Sequence, residues 1–70
     1  MKISARNKLK GIVKKVNEGV VNSEVIVELA PGIEITSVIT KSSVDELEIV
    51  AGKKVYAVIK ASNVMLGVDH

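Results

Sequence analysis

Two short segments of this 70-residue sequence carry the same chemical kit. Ser4-Ala5-Arg6-Asn7 offers a hydroxyl, a guanidinium and an amide, and Lys60-Ala61-Ser62-Asn63 offers an ammonium, a hydroxyl and an amide in equally compact form. Between them, Thr40 to Ser43 adds hydroxyls just before an expected helix, whose first N–H groups carry partial positive charge. Cations, hydroxyls and backbone donors suffice to hold a tetrahedral dianion, without a catalytic base or an aromatic ring. At about 4 Å, one cation and a dianion attract by roughly 2–8 kcal/mol gross for effective dielectrics of about 80 to 20, before desolvation is subtracted. Any one of these residues has a plainer explanation. Arg6 could pair with a surface acid, Lys60 could be a solvated strand-end lysine, and Ser43 could be a helix N-cap. The combination points to an anion, although spacing alone does not bring segments from opposite ends of the sequence together.

Other chemistries are poorly supplied. With no cysteine there is no thiolate, and the one histidine is the terminal His70, so neither a catalytic triad nor a histidine metal cluster can form within one chain. The carboxylate pairs Glu24 with Glu28 and Asp45 with Glu46 read as a solvated strand face and as partners of a helix start, not as an acid–base couple. Lys2, Arg6, Lys8, Lys10, Lys14 and Lys15 all precede the first acid, Glu18, which makes the opening segment electropositive within a net charge of +2. Such a surface attracts nucleic acid as well as small oxyanions. Single-strand binders, however, gain roughly 1–3 kcal/mol per base by stacking on aromatic rings. Tyr56 is the only aromatic residue, and its position in an alternating strand favours a core or interface role.

The elements that must position these residues are mostly strands. Ile3 to Val16 reads as a strand bent at Gly11, and Asn17-Glu18-Gly19 as a turn. From Val20 to Leu29 the chain alternates, with Val21, Ser23, Val25, Val27 and Leu29 on one face. Ala30-Pro31-Gly32 closes a hairpin into Ile33 to Thr40. Ser43-Val44-Asp45-Glu46 has capping-box spacing and predicts a short helix starting there, with its acids in the first turn. Lys53 to Lys60 alternates again, and Asn63 to Val68 is expected as a last strand. Five strands with one short helix between the third and fourth is the element order of a mainly β, OB-like Greek-key barrel, with an SH3-like barrel as competitor.

Residues 1–70 leave room for a single domain whose private core is small. Lacking disulfides, it is expected to self-associate. No apolar run is long enough to span a bilayer, and the N-terminus lacks an apolar signal segment, so a cytoplasmic protein is expected.

Ile3-Ser4-Ala5-Arg6-Asn7 with Leu9-Lys10-Gly11, the segment from Gly19-Val20-Val21 to Glu24-Val25, and Ala57-Val58-Ile59-Lys60-Ala61-Ser62-Asn63-Val64-Met65 closely resemble the molbindins. The likeness covers essentially the whole chain, and extends to sensor domains of molybdate-dependent repressors and accessory domains of molybdate-transporter ATPases. It implies an OB-like fold, hexamers built as trimers of dimers, and molybdate or tungstate held between subunits, stored or buffered without catalysis. By position it implies that Ser4, Arg6, Lys60, Ala61 and Ser62 form one wall of an interfacial site, facing Thr40 and Ser43 of a neighbouring subunit. A second kind of site, near a threefold axis, would fall at Gly19, Val20 and Asn22. No further cofactor, cationic metal, membrane or nucleic-acid partner is implied. A single-stranded nucleic-acid module and a purely structural interaction module are the alternatives.

Overall fold

The computed structural model describes residues 4–69; Ile3, where the first strand is expected to begin, and His70 lie outside them. Strands β1 (Asn7–Glu18), β2 (Asn22–Ala30) and β3 (Ile33–Thr40), helix α1 (Lys41–Glu46) and strand β4 (Lys54–Ile59) follow in that order. The strands form one antiparallel sheet with the order β3-β2-β1-β4. The β2–β3 hairpin turns at Pro31-Gly32, with Ala30 opposite Ile33 and Gly32 at φ +79°, the left-handed value that glycine tolerates.

Alternation decides which face is inside. Ser23, Val25, Val27 and Leu29 of β2 point inward opposite Ile39, Ser37 and Ile35 of β3, while Glu24, Glu28, Glu34 and Val38 lie on the other face. In β1 a bulge between Val13 and Lys15 shifts the register by one residue, so that Lys14 and Lys15 are both exposed and Val16 still turns inward. At the bulge, Val13 N–H donates to Lys53 C=O (2.9 Å) and Val13 C=O accepts from Gly52 N–H (2.7 Å), which curls the sheet over the α1–β4 connection. Val13, Val25, Val27 and Val44 are buried, with Val16, Leu29, Ile35, Ile39, Ile49 and Val55 packed around them. Gly11 is dictated by this curl: a Cβ there would sit 2.5 Å from Val27 Cγ1 and 2.9 Å from Glu28 O.

The structure differs from the expectations at four points. β1 runs on through the expected turn to Glu18, so Gly19-Val20-Val21 is the connection and β2 starts at Asn22. The helix begins three residues earlier than its capping-box spacing suggested, because Thr40 Oγ1 accepts the Ser43 N–H (3.1 Å) and Lys41 N–H donates to Val21 O (2.9 Å). Asp45 and Glu46 therefore close the helix and do not partner its positive end. Four strands form instead of five: Ala61–Asn63 is a 3-10 turn, and the extended residues after it have no ladder partner among the described residues. Strand propensity alone does not make a strand when nothing lies alongside. Finally, Tyr56 is 53% exposed on the outer face, so of its two expected roles the core one does not hold and the interface one is untouched.

Candidate functional site

The register of two ladders decides which candidate residues can meet. Asn7 pairs with Ile59 at the last step of the β1–β4 ladder, so Arg6 and Lys60 are the next residues on each strand. Ser4 and Ala5 lead into this end of β1, and Ala61 and Ser62 lead away from the end of β4 in the 3-10 turn. The residues that the resemblance assigns to one wall, Ser4, Arg6, Lys60, Ala61 and Ser62, thus lie at one end of the sheet. Arg6 and Lys60 are both exposed, and among the described residues neither has an acid within ion-pair distance. Two uncompensated cations at adjacent strand ends repel one another, an arrangement that a bound anion would relieve.

Thr40 and Ser43 are elsewhere. Thr40 pairs with Asn22 at the opposite end of the sheet, beside the end of β1, where Glu18 faces Ser23. From Asn7 to Glu18 the strand rises on the order of 35 Å, nearly the 39 Å length of the molecule. One chain therefore cannot close both walls around one small ion. The hydroxyls at this second end form a cluster: Thr40 Oγ1 donates to Ser43 Oγ (2.8 Å) and lies 3.3 Å from Ser42 Oγ. Ser42 joins this cluster although only Thr40 and Ser43 were singled out from the sequence. The short helix contributes little of its own, since Thr40 already satisfies the Ser43 amide.

Gly19, Val20 and Asn22 lie next to this hydroxyl cluster, because Asn22 pairs with Thr40 and Val21 O accepts from Lys41 N. A Cβ on Gly19 would come within 2.4 Å of Asn22 O, so only glycine fits the turn. Val20, at 94% exposure, stands clear of the domain. Among the described residues, neither of the two main grooves takes in either group. A groove of about 550 Å³ runs over Lys10, Ile12, Glu28, Lys54 and Tyr56, and another of about 370 Å³ is apolar; none of the candidate residues lines either one. Among the described residues no cluster of three His, Cys, Asp or Glu could hold a metal cation.

The remaining charge contacts are structural. Lys14 Nζ bonds Glu34 and lies 3.8 Å from Glu28, and Asn17 Nδ2 donates to Glu24 Oε1 at 3.0 Å. The hydrogen bond from Lys14 to Glu34 holds the ammonium above its usual pKa, assisted by the attraction of Glu34 and, less, of Glu28.

Residues 3–66 match the TOBE domain family. The chain is 45% identical over 69 residues to a probable molybdenum-pterin-binding protein of Haemophilus influenzae, which covers 99% of this chain and 100% of that protein. Its fold superposes on a molybdate-binding protein from Sporomusa ovata with a TM-score of 0.90 and 38% identity, over 97% of this chain and 100% of the other. The cytoplasmic molybdate-binding protein ModG, in a crystal form with molybdate bound, aligns with a TM-score of 0.82 and 43% identity, over 94% of this chain and 53% of that one.

Proposed function

This chain belongs to the TOBE-domain family, and from that membership we propose that it binds molybdate or tungstate at interfaces between copies of itself and stores or buffers the anion in the cytoplasm. The observation that carries this reading is the Asn7–Ile59 pair, which sets Arg6 beside Lys60 with no acid to neutralise them among the described residues. Arg6 and Lys60 supply charge, Ser4 and Ser62 supply hydroxyl donors, and Ala61 supplies its backbone amide. Thr40 and Ser43 complete the coordination from a neighbouring copy, because their own chain holds them at the far end of β1. The assembly is a homo-oligomer, a hexamer built as a trimer of dimers, and Gly19, Val20 and Asn22 line a second site at its threefold axis.

A single domain spanning residues 1–70 does this without catalysis. Binding by charge and hydroxyl donors leaves the oxyanion chemically unchanged, and molybdate and tungstate, alike in shape and charge, both suit such a site. No helix among the described residues is long and apolar enough to cross a membrane. Calorimetric titration with molybdate, alongside a thermal melt, tests the proposal. The expected result is saturable binding and a rise in Tm that grows with anion concentration. No heat and no stabilisation at millimolar molybdate would sink it.

One observation favours a second reading. Tyr56, exposed on the outer face, stands opposite Lys10 in the ladder and next but one to Lys54. A stacking ring flanked by cations suits a single nucleic-acid strand, and filter binding to single-stranded DNA across a salt series measures it.

A further inference from the structure

On the outer face of the β1–β4 ladder, Lys8 stands opposite Val58, Lys10 opposite Tyr56 and Lys54 opposite Ile12, so each cross-strand pair sets a cation against an apolar side chain. Arg6 and Lys60 add one more step in the same alternation, at the end proposed above to hold the anion. The result is a column of cations along β1, Arg6, Lys8 and Lys10, beside a column of apolar surface along β4, Tyr56 and Val58. All are exposed, Tyr56 at 53% and Val58 at 45%, and among the described residues none of these cations has an acid within ion-pair distance. The acids on the same face of the sheet are already engaged: Lys14 holds Glu28 and Glu34, and Asn17 holds Glu24. Charge to match the column must therefore come from outside the sheet.

We propose that this face docks an acidic amphipathic helix of a partner protein, laid along β1 and β4 with its carboxylates over the cations and its apolar edge over Tyr56 and Val58. Alternate residues of a strand are about 6.7 Å apart, and residues four apart on a helix are about 6 Å apart along its axis. A carboxylate at every fourth position thus keeps step with Arg6, Lys8 and Lys10, and the residue three after each carboxylate falls on the neighbouring ridge, over β4. The ladder from Asn7 to Ile12 runs about 20 Å, roughly three to four turns of such a helix. At the end of the stripe away from Arg6, the groove of about 550 Å³ lined by Ile12, Leu29, Pro31 and Tyr56 receives one larger apolar side chain. A single nucleic-acid strand matches the whole face less well, because Tyr56 is its only ring and Ile12 and Val58 give a base nothing to stack on. Two strands wide, the patch is smaller than the roughly 800 Å² per partner of a standard stable interface, so the contact is weak, reversible and steered by charge. The proposal goes beyond the functional reading and needs no anion to be bound.

Nitrogen-15 shift mapping on the full chain tests this with a designed probe. The probe is a capped, Ala-based helical peptide with Glu at every fourth position and Leu three residues after each, and its control has the same composition with Glu and Leu on opposite sides of the helix. The expected result is saturable shifts confined to Lys8, Lys10, Ile12, Lys54, Tyr56, Val58 and their neighbours, with the control bound several-fold more weakly. Shifts elsewhere, no shifts, or equal binding of the control overturn the proposal. Lys10→Glu is expected to weaken the peptide by roughly tenfold, because reversal replaces attraction with repulsion, and Lys41→Glu, the same charge change at the other end of the sheet, by less than about twofold. Equal losses overturn it. Tighter binding of oligo-dT than of the peptide gives the face to nucleic acid, and a lower assembly mass for Lys10→Glu in light scattering gives it to a second copy; either result overturns the proposal. Molybdate calorimetry on the same samples keeps the two claims apart. Docking without anion binding leaves the docking face standing alone, and anion binding without docking leaves only the functional reading.

Discussion

Asn7 stands opposite Ile59 in the β1–β4 ladder, and the next residue beyond each is a cation, Arg6 on one strand and Lys60 on the other. Neither has a carboxylate partner among the described residues. If this pair receives the anion, Arg6→Ala and Lys60→Ala each remove a charge-assisted contact of about 1.5–3 kcal/mol, roughly a 10- to 150-fold weaker molybdate affinity. Calorimetry is expected to show this loss with no fall in the Tm of the anion-free protein. Arg6→Lys is expected to recover only part of it, because an ammonium lacks the planar fork of a guanidinium.

Thr40 caps α1 through its hydroxyl, whereas Ser43 mainly contributes the N–H that the cap receives. Thr40→Ala should therefore lower stability by about 1 kcal/mol, and Ser43→Ala by clearly less. Urea unfolding without molybdate checks this, since it separates the cap from any contact with the anion.

Ser23 is the one buried side chain among the described residues whose hydroxyl has no hydrogen-bond partner. It sits between Glu18 and Ile39 in the two ladders, and its oxygen is shut off from solvent. Removing an unsatisfied buried hydroxyl relieves its desolvation, so Ser23→Ala is expected to raise stability by about 1 kcal/mol. A higher urea midpoint at an unchanged slope is the outcome that supports this.

Lys14 is held above its ordinary pKa of 10.5, first by its hydrogen bond to Glu34 and then by the attraction of Glu34 and Glu28. A raised folded-state pKa means that the contribution is fully present below the unfolded value and fades as pH rises through the folded one. The stability difference between the parent chain and Lys14→Met is therefore expected to be constant at neutral pH, to begin to fade only above about pH 10.5 and to be lost as the pH passes through the higher folded-state value. It should be small throughout, because the ammonium is solvated. Thermal melts in a pH series read it directly.

The β2–β3 hairpin was legible because its inward residues keep strict period two on both sides of Pro31-Gly32. The helix start was not: Ser43 and Glu46 have capping-box spacing, yet Thr40 has a hydroxyl at the same three-residue interval from Ser43. Choosing between them takes the bond from Lys41 N to Val21 O, a contact from outside the segment. The tail after Asn63 shows the alternation of a strand, but pairing is a property of neighbours and cannot be read from one strand. At the candidate site the residue types were visible in both segments. Their adjacency was not, because it follows from the β1–β4 register, and so does the distance that separates them from Thr40.

That separation along β1 has a genetic consequence. A chain altered at Arg6 and Lys60 keeps its hydroxyl wall, and a chain altered at Thr40 and Ser43 keeps its cationic wall. If the site is shared between two copies related by a twofold axis, as proposed, then in a mixed pair one site combines both damaged walls and the other combines both intact ones. Two alleles that are each inactive would restore part of the binding when expressed together, a complementation that no site confined to one chain can give.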